Sequence, residues 1–263
     1  MNYFTFGASR IFHFLLPHKS KSKNKLELTN PLNFSLLYVI IVRNHPNMRR
    51  KFHAHDIIKV TFMSEYYMFN KPRGCVTARR DERHRTVMDY FPECDRDLLF
   101  PVGRLDRDTV GFLLVTDDGM LCTRLMRPEG HVEKTYFFVA KGEMTDQDVS
   151  TLEDGIDISV RKMAKTQPAS LEIIERTTLG RVVDYLDDAN RKIALSRPDL
   201  PAFIGKLTIT EGKKHQVKRM IRHFGAKVVY LRRVTLGGVA LDESLSEGSY
   251  RELTPSELAI LKK

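Results

Sequence analysis

The segment that most restricts the fold is the wholly apolar run Phe112-Leu113-Leu114-Val115, closed by the turn Asp117-Asp118-Gly119. It has no polar alternation and is too short for a buried helix, so it fits a central strand covered on both faces. Further strands are expected at Tyr66 to Phe69, Thr135 to Ala140, Leu171 to Ile174, Val182 to Tyr185, Phe203 to Thr210 and Val228 to Leu231. Helices fall between them. Thr86 with Asp89 forms a capping box before Val87, Met88 and Phe91, and Thr145 with Asp148 another before Val149, Leu152 and Ile156. A helix is also expected over Lys213 to Phe224, and Thr254-Pro255-Ser256-Glu257 opens one at the end of the chain. Short strands broken by single helices, with no internal repeat, indicate an α+β or mixed α/β sheet and not a sandwich.

The first quarter of the chain reads differently. Residues 1–62 hold ten Lys or Arg against only Glu27 and Asp56, whereas from 63 onward 33 basic residues face 31 acidic ones. The Ser/Lys run from Lys19 to Lys25 has no periodicity, so this part is expected to be a disordered or spurious basic extension, with the working domain spanning 63–263. A small folded module and a targeting peptide are the alternatives. The total charge of +10 therefore points to a polyanionic partner only through local clusters. The apolar stretch Phe34 to Val42 falls well short of the ~20 residues of a membrane helix. Cys75, Cys94 and Cys122 offer neither a disulfide framework nor a C-x-x-C metal knuckle, which fits a reducing cytosol. The chain is accordingly read as cytoplasmic, with no membrane partner, and as a monomer.

Several chemistries lack their signatures. There is no G-x-x-x-x-G-K-[ST], G-x-G-x-x-G, H-E-x-x-H or G-x-S-x-G, and His131-Val132-Glu133 is not followed by P-C-x-x-C. No metal or nucleotide cofactor is expected. Three other segments stand out. In the first, glycines bracket Gly103-Arg104-Leu105-Asp106-Arg107-Asp108-Thr109-Val110-Gly111, which presents Asp106 between two arginines. An acid beside positive charge stays ionised and suits a nucleophile or base; alternatively it serves local backbone donors, the role assigned to Asp108. In the second, Glu133-Lys134-Thr135-Tyr136 opens a strand whose tyrosine either stacks on a planar base or fills the core. In the third, Val217, Met220, Ile221 and Phe224 form one helix face, Lys214, His215, Lys218, Arg219 and Arg222 occupy the rest, and Gly225 supplies the stop. Lys218 lies at the stripe edge, where it can fold onto a carboxylate, while a plain solvated basic face is the alternative.

Together, in this order, these segments resemble the pseudouridine synthases, in particular the RsuA-like group that modifies ribosomal RNA. The likeness rests on Asn70-Lys71-Pro72-Arg73-Gly74, Gly103-Arg104-Leu105-Asp106 and Glu133-Lys134-Thr135-Tyr136. It extends through Glu211-Gly212-Lys213-Lys214-His215-Gln216-Val217-Lys218-Arg219-Met220 and the tail Leu231 to Gly238. The resemblance implies a pseudouridine synthase fold, a mixed and largely antiparallel sheet with flanking helices around a central catalytic cleft. It implies that Asp106 is the catalytic aspartate, by attack on the sugar or through a glycal. Tyr136 would stack on uracil and act in C5 deprotonation, Lys218 would pair with the aspartate, and Leu231 would pack near the base. Isomerising uridine consumes no nucleotide and needs no metal, so the cofactor reading is none. Lys71, Arg73, Arg104, Arg107, Lys214, Arg219 and Arg222, with Arg79, Arg80 and Arg83, are the candidate RNA contacts. The implied partner is ribosomal RNA or a pre-ribosomal particle, with 16S rRNA placed ahead of 23S rRNA. A non-catalytic RNA-binding assembly factor on the same fold is the competing reading. The usual N-terminal RNA-binding domain of the group has no counterpart pattern in residues 1–62.

Overall fold

The computed structural model describes residues 2–6, 10–14, 64–91, 98–158 and 165–263. The chain divides into two compact units, Met1–Ser64 and Glu65–Lys263. In the first, β1 (Asn2–Phe6) pairs antiparallel with β2 (Arg10–Phe14). The remainder of the 1–62 extension, the expected start at Met63 and Cys94 lie outside the described residues.

In the second unit, nine strands form one sheet: β3 (Tyr66–Lys71), β4 (Phe100–Pro101), β5 (Val110–Thr116), β6 (Lys134–Lys141), β7 (Ser170–Thr178), β8 (Pro201–Ile209), β9 (Lys227–Leu236), β10 (Val239–Ala240) and β11 (Tyr250–Glu252). Their order is β11-β3-β5-β9-β6-β8-β7, with β4 on β5 and β10 on β9. All of the pairings are antiparallel except β5 with β9, which run parallel and meet only at Val110 with Arg232 and Gly111 with Arg233. The apolar run behaves as expected: every residue of β5 is buried. This is the mixed sheet with flanking helices of the α+β class.

Five α-helices flank it among the described residues: α1 (Gly119–Met126), α2 (Asp146–Glu153), α3 (Asp188–Ser196), α4 (Gln216–His223) and α5 (Pro255–Leu261). The capping boxes at Thr145 and Thr254 close as expected, and the one at Thr86 opens a short 3-10 turn, Val87–Tyr90. One core cluster joins β3, β5, β6, β8 and β9 to α4 and α2 through Phe69, Leu113, Phe138, Leu207, Leu231, Met220 and Leu152. Two separate clusters also form. One gathers Met68, Phe112 and Leu114 with α1 and α5, and the other gathers Val139 and Val229 with Leu179, Val182 and Ala194.

Three expectations are corrected. Val182 to Tyr185 is not a strand but part of a 3-10 segment, Leu179–Tyr185, because Leu179 and Gly180 donate to the Leu200 and Pro198 carbonyls and Leu186 donates back to Val183. The turn at Asp117-Asp118-Gly119 also starts α1, since the Asp118 carboxylate accepts from the Met120 and Leu121 amides. The basic helix begins at Gln216 and not Lys213, because His215 is in the left-handed region at φ 53°. It ends as expected before Gly225, at φ 83°.

Candidate active site

Asp106 lies in the loop entering β5, immediately before the two residue pairs that join the halves of the sheet. The neighbouring loop clamps this one. Gly74 N–H donates to Arg107 O at 2.8 Å, Arg107 Nε donates back to Gly74 O at 3.0 Å, and Thr109 N–H closes a turn on Asp106 O at 3.1 Å. Thr77 Oγ1 donates to Leu105 O at 2.8 Å and accepts from Leu105 N–H at 3.2 Å. Lys71 completes the clamp: its ammonium donates to the carbonyls of Pro72, Thr109 and Arg107 at 3.0, 2.9 and 3.4 Å. Its expected place among the RNA-contacting residues is therefore corrected. Lys71 is 0 % exposed, and burial lowers its pKa against the opposing charges of Cys75 and Asp108.

The start of α4 faces the loop. Gln216, itself buried, accepts from Lys213 N–H at 2.8 Å through Oε1 and donates to Glu211 Oε1 at 2.7 Å, while Lys213 Nζ pairs with Glu211 Oε2 at 2.5 Å. This network fixes the first turn of α4, and Lys218 folds from the stripe edge onto the carboxylates. Lys218 Nζ lies 3.1 Å from Asp106 Oδ2 and 2.6 Å from Asp108 Oδ1. Asp108 thus does more than the local turn role expected of it: it shares the ammonium with Asp106. Burial opposes its ionisation, but the Lys218 hydrogen bond and charge outweigh that and keep its carboxyl below the usual carboxylate range.

Tyr136 and Leu231 enter from the far half of the sheet. Tyr136 pairs with Arg233 across β6 and β9, and both Tyr136 and Leu231 are buried in the cluster that holds Leu105, Val217 and Ile221. An open surface depression of about 410 Å³ lined by Arg73, Gly74, Arg107 and Asp108 lies beside the Asp108 carboxylate. Arg104, Arg107, Lys214 and Arg222 are exposed and Arg219 is half-buried. Sequence reasoning missed three contributors. His215 Nε2 stands 3.5 Å from Asp106 Oδ1, Thr77 clamps Leu105, and Asp187, the N-cap of α3, holds Arg73 at 3.0 Å. The Lys214 to Lys218 spacing could have drawn attention to His215; nothing local signals Asp187. Among the described residues, no group of three His, Cys, Asp or Glu side chains is placed to hold a metal.

An acid held by a lysine in a loop at the centre of a mixed sheet, together with this strand order, defines a class. The chain belongs to the RNA pseudouridylate synthase family, whose pattern matches residues 65–223. It is an isomerase that converts uridine to pseudouridine in RNA, of the RsuA-like kind. The chain is 44% identical over 75% of its length to the uncharacterized RNA pseudouridine synthase YtzG of Bacillus subtilis, covering 73% of that protein. It is 39% identical over 76% of its length to the ribosomal small subunit pseudouridine synthase A of Haemophilus influenzae, covering 74% of it. The Escherichia coli protein of the same name is 36% identical over 74% of this chain and 72% of that one. A crystal structure of a pseudouridylate synthase superposes with a TM-score of 0.62 at 37% identity, covering 76% of this chain and 74% of that one.

Proposed function

We propose that the chain modifies ribosomal RNA, and that its target is a 16S rRNA uridine of the uridine 516 type. The names of the Haemophilus influenzae and Escherichia coli relatives, both ribosomal small subunit enzymes, support that substrate. Asp106 acts at the ribose carbon as the N1–C1′ bond opens, the freed uracil turns, and a C5–C1′ bond closes. Tyr136 stacks on the base and takes part in removing the C5 proton as N1 gains one, so the atoms balance without a cofactor. Lys218 pairs with the Asp106 carboxylate and holds it in place, and Leu231 packs against the base. Arg73, Arg104, Arg107, Lys214, Arg219 and Arg222 contact the RNA backbone, and extruding the nucleotide costs a few kcal/mol. The observation that carries this reading is the Asp106–Lys218 pair at 3.1 Å on a loop clamped by the 71–77 segment. Asp106→Asn is expected to form no pseudouridine while its thermal midpoint and RNA affinity stay near the unmodified values; an active Asp106→Asn enzyme refutes the assignment. Pseudouridine mapping of rRNA from cells with and without the gene tests the target, and a lost site in 23S rRNA would replace the 16S reading.

A further inference from the structure

His215 breaks two local rules at once. It is one of two non-glycine residues with positive φ among the described residues, at φ 53° and ψ 32°, a conformation that costs about 1 kcal/mol or more for a residue with a Cβ. It is also the N-cap of α4, where Ser, Thr, Asp or Asn would accept an amide hydrogen, yet its side chain makes no cap hydrogen bond. Gln216 Oε1 takes the Lys213 amide hydrogen in the loop before the helix, a bond that orders the approach to α4 without capping it. What the unusual backbone does achieve is to aim the imidazole at the reacting acid: Nε2 stands 3.5 Å from Asp106 Oδ1.

The need for such a group follows from the arrangement of charges. Lys218 is divided between two acids and lies nearer Asp108, at 2.6 Å, than Asp106, at 3.1 Å. Oδ2 of Asp106 therefore holds only part of one ammonium. On Oδ1 the side chain in place is His215, while Lys218 meets the other oxygen and Asp108 is itself an anion.

We propose that His215 is a positioning residue for the isomerisation, holding Oδ1 of Asp106 through an Nε2–H donor so that rotation of the carboxylate is fixed when the nucleotide arrives. The inference rests on Asp106 being the reacting acid. Interactions of this kind are commonly long in the free enzyme and tighten in the complex.

His215→Gly and His215→Asn separate side chain from backbone, because both residues adopt the left-handed conformation readily. The single-turnover isomerisation rate at saturating RNA is expected to fall about tenfold or more in both variants. The thermal midpoint should be unchanged or raised and RNA affinity should stay within about twofold, since the backbone strain is relieved and the phosphate-facing arginines and lysines are untouched. Free imidazole should restore part of the rate to His215→Gly but not to His215→Asn. A wild-type rate in His215→Gly alongside a dead Asp106→Asn would overturn the role of His215 while leaving the acid's role standing. A loss confined to RNA affinity would equally overturn it, making the histidine a ligand of the RNA backbone. Activity in Asp106→Asn would remove the underlying assignment itself.

Discussion

Lys134 and Arg233 lie buried near one another with no ion-pair partner among the described residues. Lys134 Nζ donates to Val132 O at 2.7 Å, and Arg233 Nε donates to Phe112 O at 2.7 Å while its Nη2 has no partner. Burial, reinforced by the Arg233 charge, pulls the Lys134 ammonium down to about 8. The folded pKa lies below the unfolded one of about 10.4, so the unfolded state binds more protons between those values and stability rises with pH across that window. Lys134→Met should therefore raise stability at pH 7 by on the order of 1–2 kcal/mol, with the gain shrinking as pH climbs from 8 to 10. Denaturant melts of both proteins over that range check it; a gain that does not depend on pH would contradict the charge argument. Gly111 makes the opposite point. At φ 98°, a Cβ there would sit 2.4 Å from the Arg233 carbonyl oxygen. Gly111→Ala should cost about 3 kcal/mol or more in the same melts.

At the scale of elements, the acid loop depends on its partner loop. Thr77 satisfies both the amide and the carbonyl of Leu105 with one hydroxyl, and Thr77→Val keeps the shape while removing both bonds. It should cost about 1–3 kcal/mol and lower the isomerisation rate more than RNA affinity; single-turnover kinetics beside thermal melts would show this. Much of the element plan was legible in the chain. The buried β5 run, the capping boxes at Thr145 and Thr254 and the glycine stop at Gly225 each have a local cause, so local sequence announces them. Lys218 reaching a carboxylate followed from its place at the stripe edge. What escaped has causes at long range. Val182 to Tyr185 is β-branched and aromatic, yet the carbonyls of Pro198 and Leu200 decide its shape. Among residues of α3 only Ala194 is buried, so no apolar period marks the helix. Lys71 looked like a phosphate ligand because nothing in its own loop reveals that the Thr109 and Arg107 carbonyls will enclose it.

For the whole molecule, the compact unit Glu65–Lys263 contains the sheet, its helices and every residue of the candidate site. A chain begun at Met63 should consequently isomerise a bound uridine at the full-length rate. If the lysines of 1–62 touch phosphates, its RNA affinity should fall with a shallower salt slope, by about 0.7–0.9 for each phosphate that is no longer neutralised; filter binding at several salt concentrations distinguishes the two outcomes.

Two backbone pairs between β5 and β9 tie one half of the sheet to the other, over a single core on one face and two unconnected cores on the other. The unit Glu65–Lys263 is bound like a book, with a narrow spine and glue along one side. Any flexing about that spine would have to deform the shared packing of Phe69, Leu113, Phe138 and Leu231. The expectation is that hydrocarbon several residues away stiffens the presentation of Asp106, so that trimming one of those side chains would slow the isomerisation without altering a single charge.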